Sequence, residues 1–176
     1  MLAKLFSLGV RLPQFLEHFP DAKILYTIRD PLETVPSGLS LITGVLDGRF
    51  GFWKLPEQKR NVYIGRLYNA LLELSLRFHD DYVSGKIPLG KVKIVRYDRM
   101  MNDFDNLMDE VLAFLELEPS PELLDIIRKT SDKQKTRKSG HKYSLEQFGL
   151  NEEQIRKDYT QIYNTFFTKN YEIVND

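Results

Sequence analysis

Apolar side chains along this chain fall into two periods, and the period changes where Gly, Pro or a capping residue interrupts it. Leu5, Leu8, Leu12, Phe15 and Leu16 recur at helical spacing, with Pro13 expected to kink or restart the helix. Ile24, Leu25, Tyr26 and Ile28 then form a short, β-branched-rich run. Such a run predicts a strand of a parallel sheet covered on both faces. The run stops at Arg29. Asp30 suits an N-cap, Pro31 suits the first helical position, and Glu33 can reach back in a capping-box pattern, so a helix is predicted to start here. Residues 44–55, with Gly44, Gly48, Gly51, Phe50, Phe52 and Trp53, read as an irregular loop.

A long helix is predicted from 56 to about 83. Tyr63, Leu67, Ala70, Leu71, Leu74, Leu76 and Phe78 carry its apolar face, and Lys59, Arg60, Arg66, Glu73 and Arg77 its polar one. Ser84-Gly85 ends it, and Pro88-Leu89-Gly90 turns the chain into a second strand, 92–96. Helices over 104–115 and from 121 to about 130 follow. Strand, crossover helix, strand implies two parallel strands in an α/β fold, a parallel sheet flanked by helices. Two strands are too few for an independent sheet, so the sheet reads as incomplete at its N-terminal side. An open, apolar sheet edge predicts self-association.

The first strand delivers candidate chemistry to a helix start. Arg29 presents a planar fork able to bind two oxygens of one anion, and Ser37 follows eight residues later, two turns into the helix. Unpaired N–H groups and the helix dipole favour phosphate or sulfate at such a start. The same residues also suit an ordinary capped turn with Arg29 in a surface ion pair. A second basic feature spans 129–142, with Lys129, Lys133, Lys135, Arg137, Lys138 and Lys142 beside His141. By itself such a run suits a solvated face. His18 and His79 lie on helical stretches and neither makes a convincing general base.

Composition narrows the field. The chain has 176 residues, 42% hydrophobic and 28% charged, enough for one domain with a core. Lys plus Arg equals Asp plus Glu at 25 each, so no global basicity points to nucleic acid and any anion site must be local. The absence of cysteine excludes disulfides and thiolate metal sites, and no carboxylate or histidine cluster has metal-ligand spacing. No apolar run approaches the roughly 18 residues of a membrane span. The apolar stretch after Lys4 is broken by Arg11 and Pro13 and does not read as an export signal, so a cytoplasmic location is expected.

Four segments, in order, resemble the sulfotransferases that use 3′-phosphoadenosine 5′-phosphosulfate. Residues 19–41, FPDAKILYTIRDPLETVPSGLSL, resemble the segment in which an arginine ends a strand and a serine eight positions later helps bind the 3′-phosphate. Arg29 and Ser37 occupy those places. Lys91 to Asp98 resemble the family's next strand, with Tyr97 at the position near the adenine. Residues 104–117 resemble the helix ending in a Phe-Leu-x-Leu sequence, here Phe114-Leu115-Glu116-Leu117. Residues 137–150 resemble the basic, glycine-containing loop that closes over the nucleotide, closest to bacterial-type members, which makes Arg137 and Lys138 candidates for the 3′-phosphate.

The resemblance implies a P-loop-NTPase-like sheet and a single, partial domain over residues 1–176. It implies sulfuryl transfer from 3′-phosphoadenosine 5′-phosphosulfate to a hydroxyl or amine of a small-molecule, glycan or lipid acceptor. The family's Lys-Ser/Thr-Gly-Thr loop for the 5′-phosphosulfate has no counterpart between Met1 and Phe19, so the chain reads as the C-terminal portion of such an enzyme. The lysine of that loop and the base lie upstream in the family, so no catalytic residue is assigned. Two other readings stay open: a non-catalytic nucleotide-binding or interaction module derived from the fold, and a P-loop kinase relative.

Overall fold

A computed structural model of the chain describes residues 8–136 and 144–168. Its contacts divide these residues into two compact units, a helical one of residues 8–15, 31–86 and 144–168 and a sheet-containing one of residues 16–30 and 87–136. A turn of 3-10 helix, Leu8–Arg11, leads into helix α1, Leu12–His18, so the chain restarts around Pro13 as its sequence predicts. Strand β1, Ile24–Ile28, and helix α2, Pro31–Phe50, follow.

Helix α2 departs from expectation. Residues 44–50 are helical, continuous with the turns before them, and the irregular stretch shrinks to a 3-10 turn over Phe52–Lys54. Gly44 and Gly48 each cost roughly 1 kcal/mol relative to alanine. Continuing a helix adds one backbone bond per residue, and Val35, Leu39 and Thr43 keep one stripe of α2 buried up to the glycines. The helix stops where a left-handed residue is needed, at Gly51, whose φ is 64° and whose N–H donates to Asp47 O at 2.8 Å. The Asp47 carboxylate then accepts from Trp53 N at 2.9 Å, which fixes the exit of the chain. Phe52 is buried, edge-on to Trp53 at 5.1 Å and to Tyr63 at 6.4 Å, so its ring is a packing residue.

Helix α3, Glu57–Val83, matches the predicted long helix and ends at Ser84 and Gly85, the latter at φ 74°. Helices α7, Glu152–Asp158, and α8, Thr160–Phe166, complete the helical unit. Phe166 on α8 is fully buried against the rings of Tyr82 at 5.4 Å, His79 at 6.0 Å and Phe78 at 6.1 Å. Tyr68 on α3 donates to the Asp158 carboxylate at 2.6 Å and ties α3 to the end of α7.

The sheet-containing unit has β1 and strand β2, Val92–Arg96, paired in parallel with Ile24 opposite Val92 and Ile28 opposite Arg96. Both strands carry their predicted boundaries. Burial separates them: Val92, Ile94 and Val95 of β2 are buried, whereas β1 alternates, with Ile28 buried and Leu25 and Thr27 exposed. Coverage of both faces therefore holds poorly for β1, because Ile24, Tyr26 and Ile28 suffice to line one inner face while the other side of the strand faces outward.

Helix α4, Tyr97–Asn102, runs straight on from β2, followed by α5, Phe104–Leu115, and α6, Pro121–Thr136. Val95, Leu107 and Val111 form a small core closed by Met100, Met108 and Leu115. Helix α5 ends with Glu116 at φ 56°, Leu117 N–H donating to Leu112 O and Glu116 N–H to Ala113 O, the paired bonds of a Schellman stop. Lys23, just before β1, donates to Phe114 O at 2.7 Å and pairs with Glu116 at 2.9 Å, binding the strand's start to that helix end. Helix α6 runs past its expected end near residue 130. Ile127 and Ser131 extend one buried stripe, Ser131 Oγ donates to Asp105 on α5 at 2.6 Å, and no Gly or Pro interrupts the turns that follow.

The described residues are helix-rich and include a two-stranded parallel sheet. Among the described residues, no helix is long and apolar enough to cross a membrane, and no group of three or more His, Cys, Asp or Glu is arranged to hold a metal.

Candidate functional site at the carboxyl ends of the strands

Parallel pairing decides which side chains meet at the strand ends. Ile28 is level with Arg96, so the next residues on each chain, Arg29 and Tyr97, emerge side by side. The Arg29 guanidinium carbon lies 4.5 Å from the centroid of the Tyr97 ring, and both residues are half-buried. The ring's electron-rich face attracts the cation, and the guanidinium's N–H donors lie in its own plane, so stacking through the face is compatible with hydrogen bonding to an anion at the edge. The carboxyl ends of parallel strands are also where open α/β sheets bind ligands.

The neighbouring cations are matched by carboxylates. Arg96 forks onto Asp98, Nε to Oδ1 at 3.0 Å and Nη2 to Oδ2 at 2.5 Å, and this bidentate bond holds the Asp98 carboxyl below its usual range despite partial burial. Arg99 donates to Asp103 at 2.9 Å and to both oxygens of Glu110 at 2.6 and 3.1 Å, and Lys93 pairs with Glu110 at 3.0 Å. Glu110 is likewise held low, chiefly by the Arg99 bonds. The network fastens β2 and α4 to α5. In mid-strand, burial pushes the Tyr26 hydroxyl up to about 12, so it stays protonated and neutral.

Sequence reasoning named five binding residues, and their outcomes differ. Arg29 and Tyr97 come together. Ser37 sits on α2 in the helical unit, half-buried, on the face turned away from the stripe of Pro31, Val35, Leu39 and Thr43. Arg137 and Lys138, with Gly140 and His141 of the same basic segment, lie outside the described residues. Asp98 belongs to Arg96. His79, set aside as a base on sequence grounds, is buried with Nδ1 3.1 Å from Asp80 and Nε2 2.9 Å from Thr165, where it ties α3 to α8.

The Arg29–Tyr97 stack is the feature that sequence reasoning missed. Its signal was available in the two strands of equal length, each followed at once by one member of the pair, which stack only if the strands pair in level register. A groove of about 470 Å³ between α5 and α6 is lined by Asp105, Asp109, Leu124, Ile127, Arg128 and Asp132. Three carboxylates against one guanidinium give it the wrong sign for a sulfate or phosphate.

No curated protein and no solved structure matches the chain. The model of the sulfotransferase family matches residues 2–122, which take in both strands, Arg29, Ser37, Tyr97 and α5. The basic segment of residues 129–142 lies beyond that match. With well over half of its length matched, the chain belongs to the sulfotransferase family, transferases of a sulfuryl group.

Proposed function

We propose that this chain supplies the 3′-phosphate and adenine side of a sulfotransferase site that uses 3′-phosphoadenosine 5′-phosphosulfate and a hydroxyl or amine acceptor. The observation that carries the reading is the stack of Arg29 on Tyr97 at the level ends of two parallel strands. Each member stands at a family position for the nucleotide, and the pair presents a cation beside an aromatic ring, the chemistry that a phosphorylated nucleoside requires. When bound, the donor supplies the activated sulfuryl group, and its leaving group is adenosine 3′,5′-bisphosphate.

On this reading Arg29 and Ser37 hold the 3′-phosphate, Tyr97 faces the adenine side, and Arg137 and Lys138 add charge to the same phosphate. These roles are positional: they orient the donor and leave proton removal from the acceptor to other groups. Residues 1–176 then act as one partial, P-loop-NTPase-like sulfotransferase domain in the cytoplasm. A small-molecule, glycan or lipid hydroxyl is the acceptor, and the open sheet edge is a route to self-association.

Titrating the 176-residue chain with adenosine 3′,5′-bisphosphate and with ADP tests the assignment. The bisphosphate should bind more tightly, and Arg29→Ala should erase the preference. Loss of a charged hydrogen bond of about 1.5–3 kcal/mol corresponds to about 10- to 150-fold in affinity. Equal affinities in the parent chain reject the reading, and a preference for ADP favours a kinase-like site instead.

A further inference from the structure

We propose that the solvent face of α3 is a docking surface for a membrane rich in anionic lipid, against which the helix lies flat without crossing it. Ile64 and Tyr68 turn one side of α3 into the core. The opposite side then carries Lys59, Val62, Tyr63 and Arg66 at the helical spacing i, i+3, i+4 and i+7, and Leu74 and Arg77 follow in the same row. Val62 is 54% exposed, Tyr63 48% and Leu74 41%, and the three cations are exposed beside them. From Lys59 to Arg77 the row runs about 27 Å at the helical rise per residue.

Charge decides the partner. Lys59, Arg66 and Arg77 make no ion pair among the described residues, whereas Lys23, Lys86, Lys93 and Arg99 each hold a carboxylate. Between Lys59 and Arg77 this side of α3 carries one acid, Glu73, so its net charge is positive in a chain whose total is zero. Anionic headgroups complement that charge, at about 5-fold in affinity for each Lys or Arg. Apolar side chains set between cations suit the headgroup boundary, where Val62 and Leu74 leave water and the Tyr63 hydroxyl stays wet. A soluble polyanion would engage the cations and gain nothing from the apolar residues. The surface belongs to the helical unit and does not depend on the assignment of Arg29.

Co-sedimentation of the full chain with phosphatidylcholine vesicles, with and without an equal part of phosphatidylserine, tests the proposal. Binding should require phosphatidylserine, weaken with added salt, and fall about 25-fold in a Lys59→Gln, Arg66→Gln double variant. Val62→Ser should weaken it about 5-fold through lost apolar burial. All three positions are exposed, so the variants should keep the parent's thermal midpoint. The chain has no cysteine, so Ala70→Cys, in the same row, takes a single environment-sensitive fluorophore. Its emission should shift to the blue on phosphatidylserine vesicles. No binding to the mixed vesicles, binding unaltered in the double variant, or an unshifted label overturns the proposal. Vesicle binding that Val62→Ser leaves unchanged, matched by a soluble sulfated polysaccharide with the same dependence on Lys59 and Arg66, would make the face a polyanion site and overturns it too.

Discussion

Leu107 is the most exacting test of how the sheet-containing unit is held, because it lies 2% exposed in the small core with Val95 and Val111. Leu107→Ala removes the isobutyl end of a nearly fully buried side chain. At about 0.8 kcal/mol per buried methylene-sized group, the transfer loss is about 2.5 kcal/mol. Met100, Met108 and Leu115 rim the core and fill the vacated space incompletely, so a cavity contribution raises the cost to about 3–4 kcal/mol, within the usual span for buried leucines. Urea unfolding followed by far-UV circular dichroism reads the change. At a slope of about 2 kcal/mol per molar, the midpoint of the affected transition should fall by about 1.5–2 M. Ile126→Ala on α6, at 58% exposure, is the matched control and should move stability by less than about 0.5 kcal/mol. A cost below about 1 kcal/mol for Leu107→Ala, or equal costs for the two, would show that this cluster is not the core of the unit.

The Glu110 network predicts an acid-sensitive contribution to stability. A carboxylate held below its ordinary value of 4.5 adds stability that is complete above that value and is lost as the pH falls through the lower folded-state value. Glu110→Gln should therefore flatten the acid limb of a plot of unfolding free energy against pH below about 4.5, and an unchanged limb would refute the role of Arg99 and Lys93 as its partners. Glycine substitutions test the length of α2. A Cβ at Gly44 or Gly48 meets nothing within 4 Å, so alanine at either should stabilise by up to about 1 kcal/mol in thermal melts. Alanine at Gly51, held at φ 64°, should cost about 1–2 kcal/mol, with asparagine costing less. Were residues 44–50 a loop, the first two substitutions would bring no gain.

Much of the secondary structure was legible locally. Both strands, α3 and α5 were readable to within a residue because periodicity, a strand-ending Arg29, Ser84-Gly85 and the turn at Pro88 are all statements about neighbours in sequence. Of the candidate site, the positions of Arg29 and Tyr97 directly after two recognisable strands were legible. Where local signals competed with burial they failed. Glycines at 44 and 48 argued for a loop, yet the stripe of Val35, Leu39 and Thr43 carried α2 onward. The polar end of α6 hid a buried Ser131 bonded to Asp105.

By itself, then, the sequence determined the order and period of the elements and the kinds of charge at their ends. Tertiary structure alone decided which charges meet. Strand register, set by the packing of Val92, Ile94 and Val95 together with the inward residues of β1, brought Arg29 onto Tyr97, and the docking of α5 gave Arg99 and Lys93 their shared carboxylate. Register and docking depend on residues far apart in the chain, whose contact free energies enter only once both elements are formed and buried together.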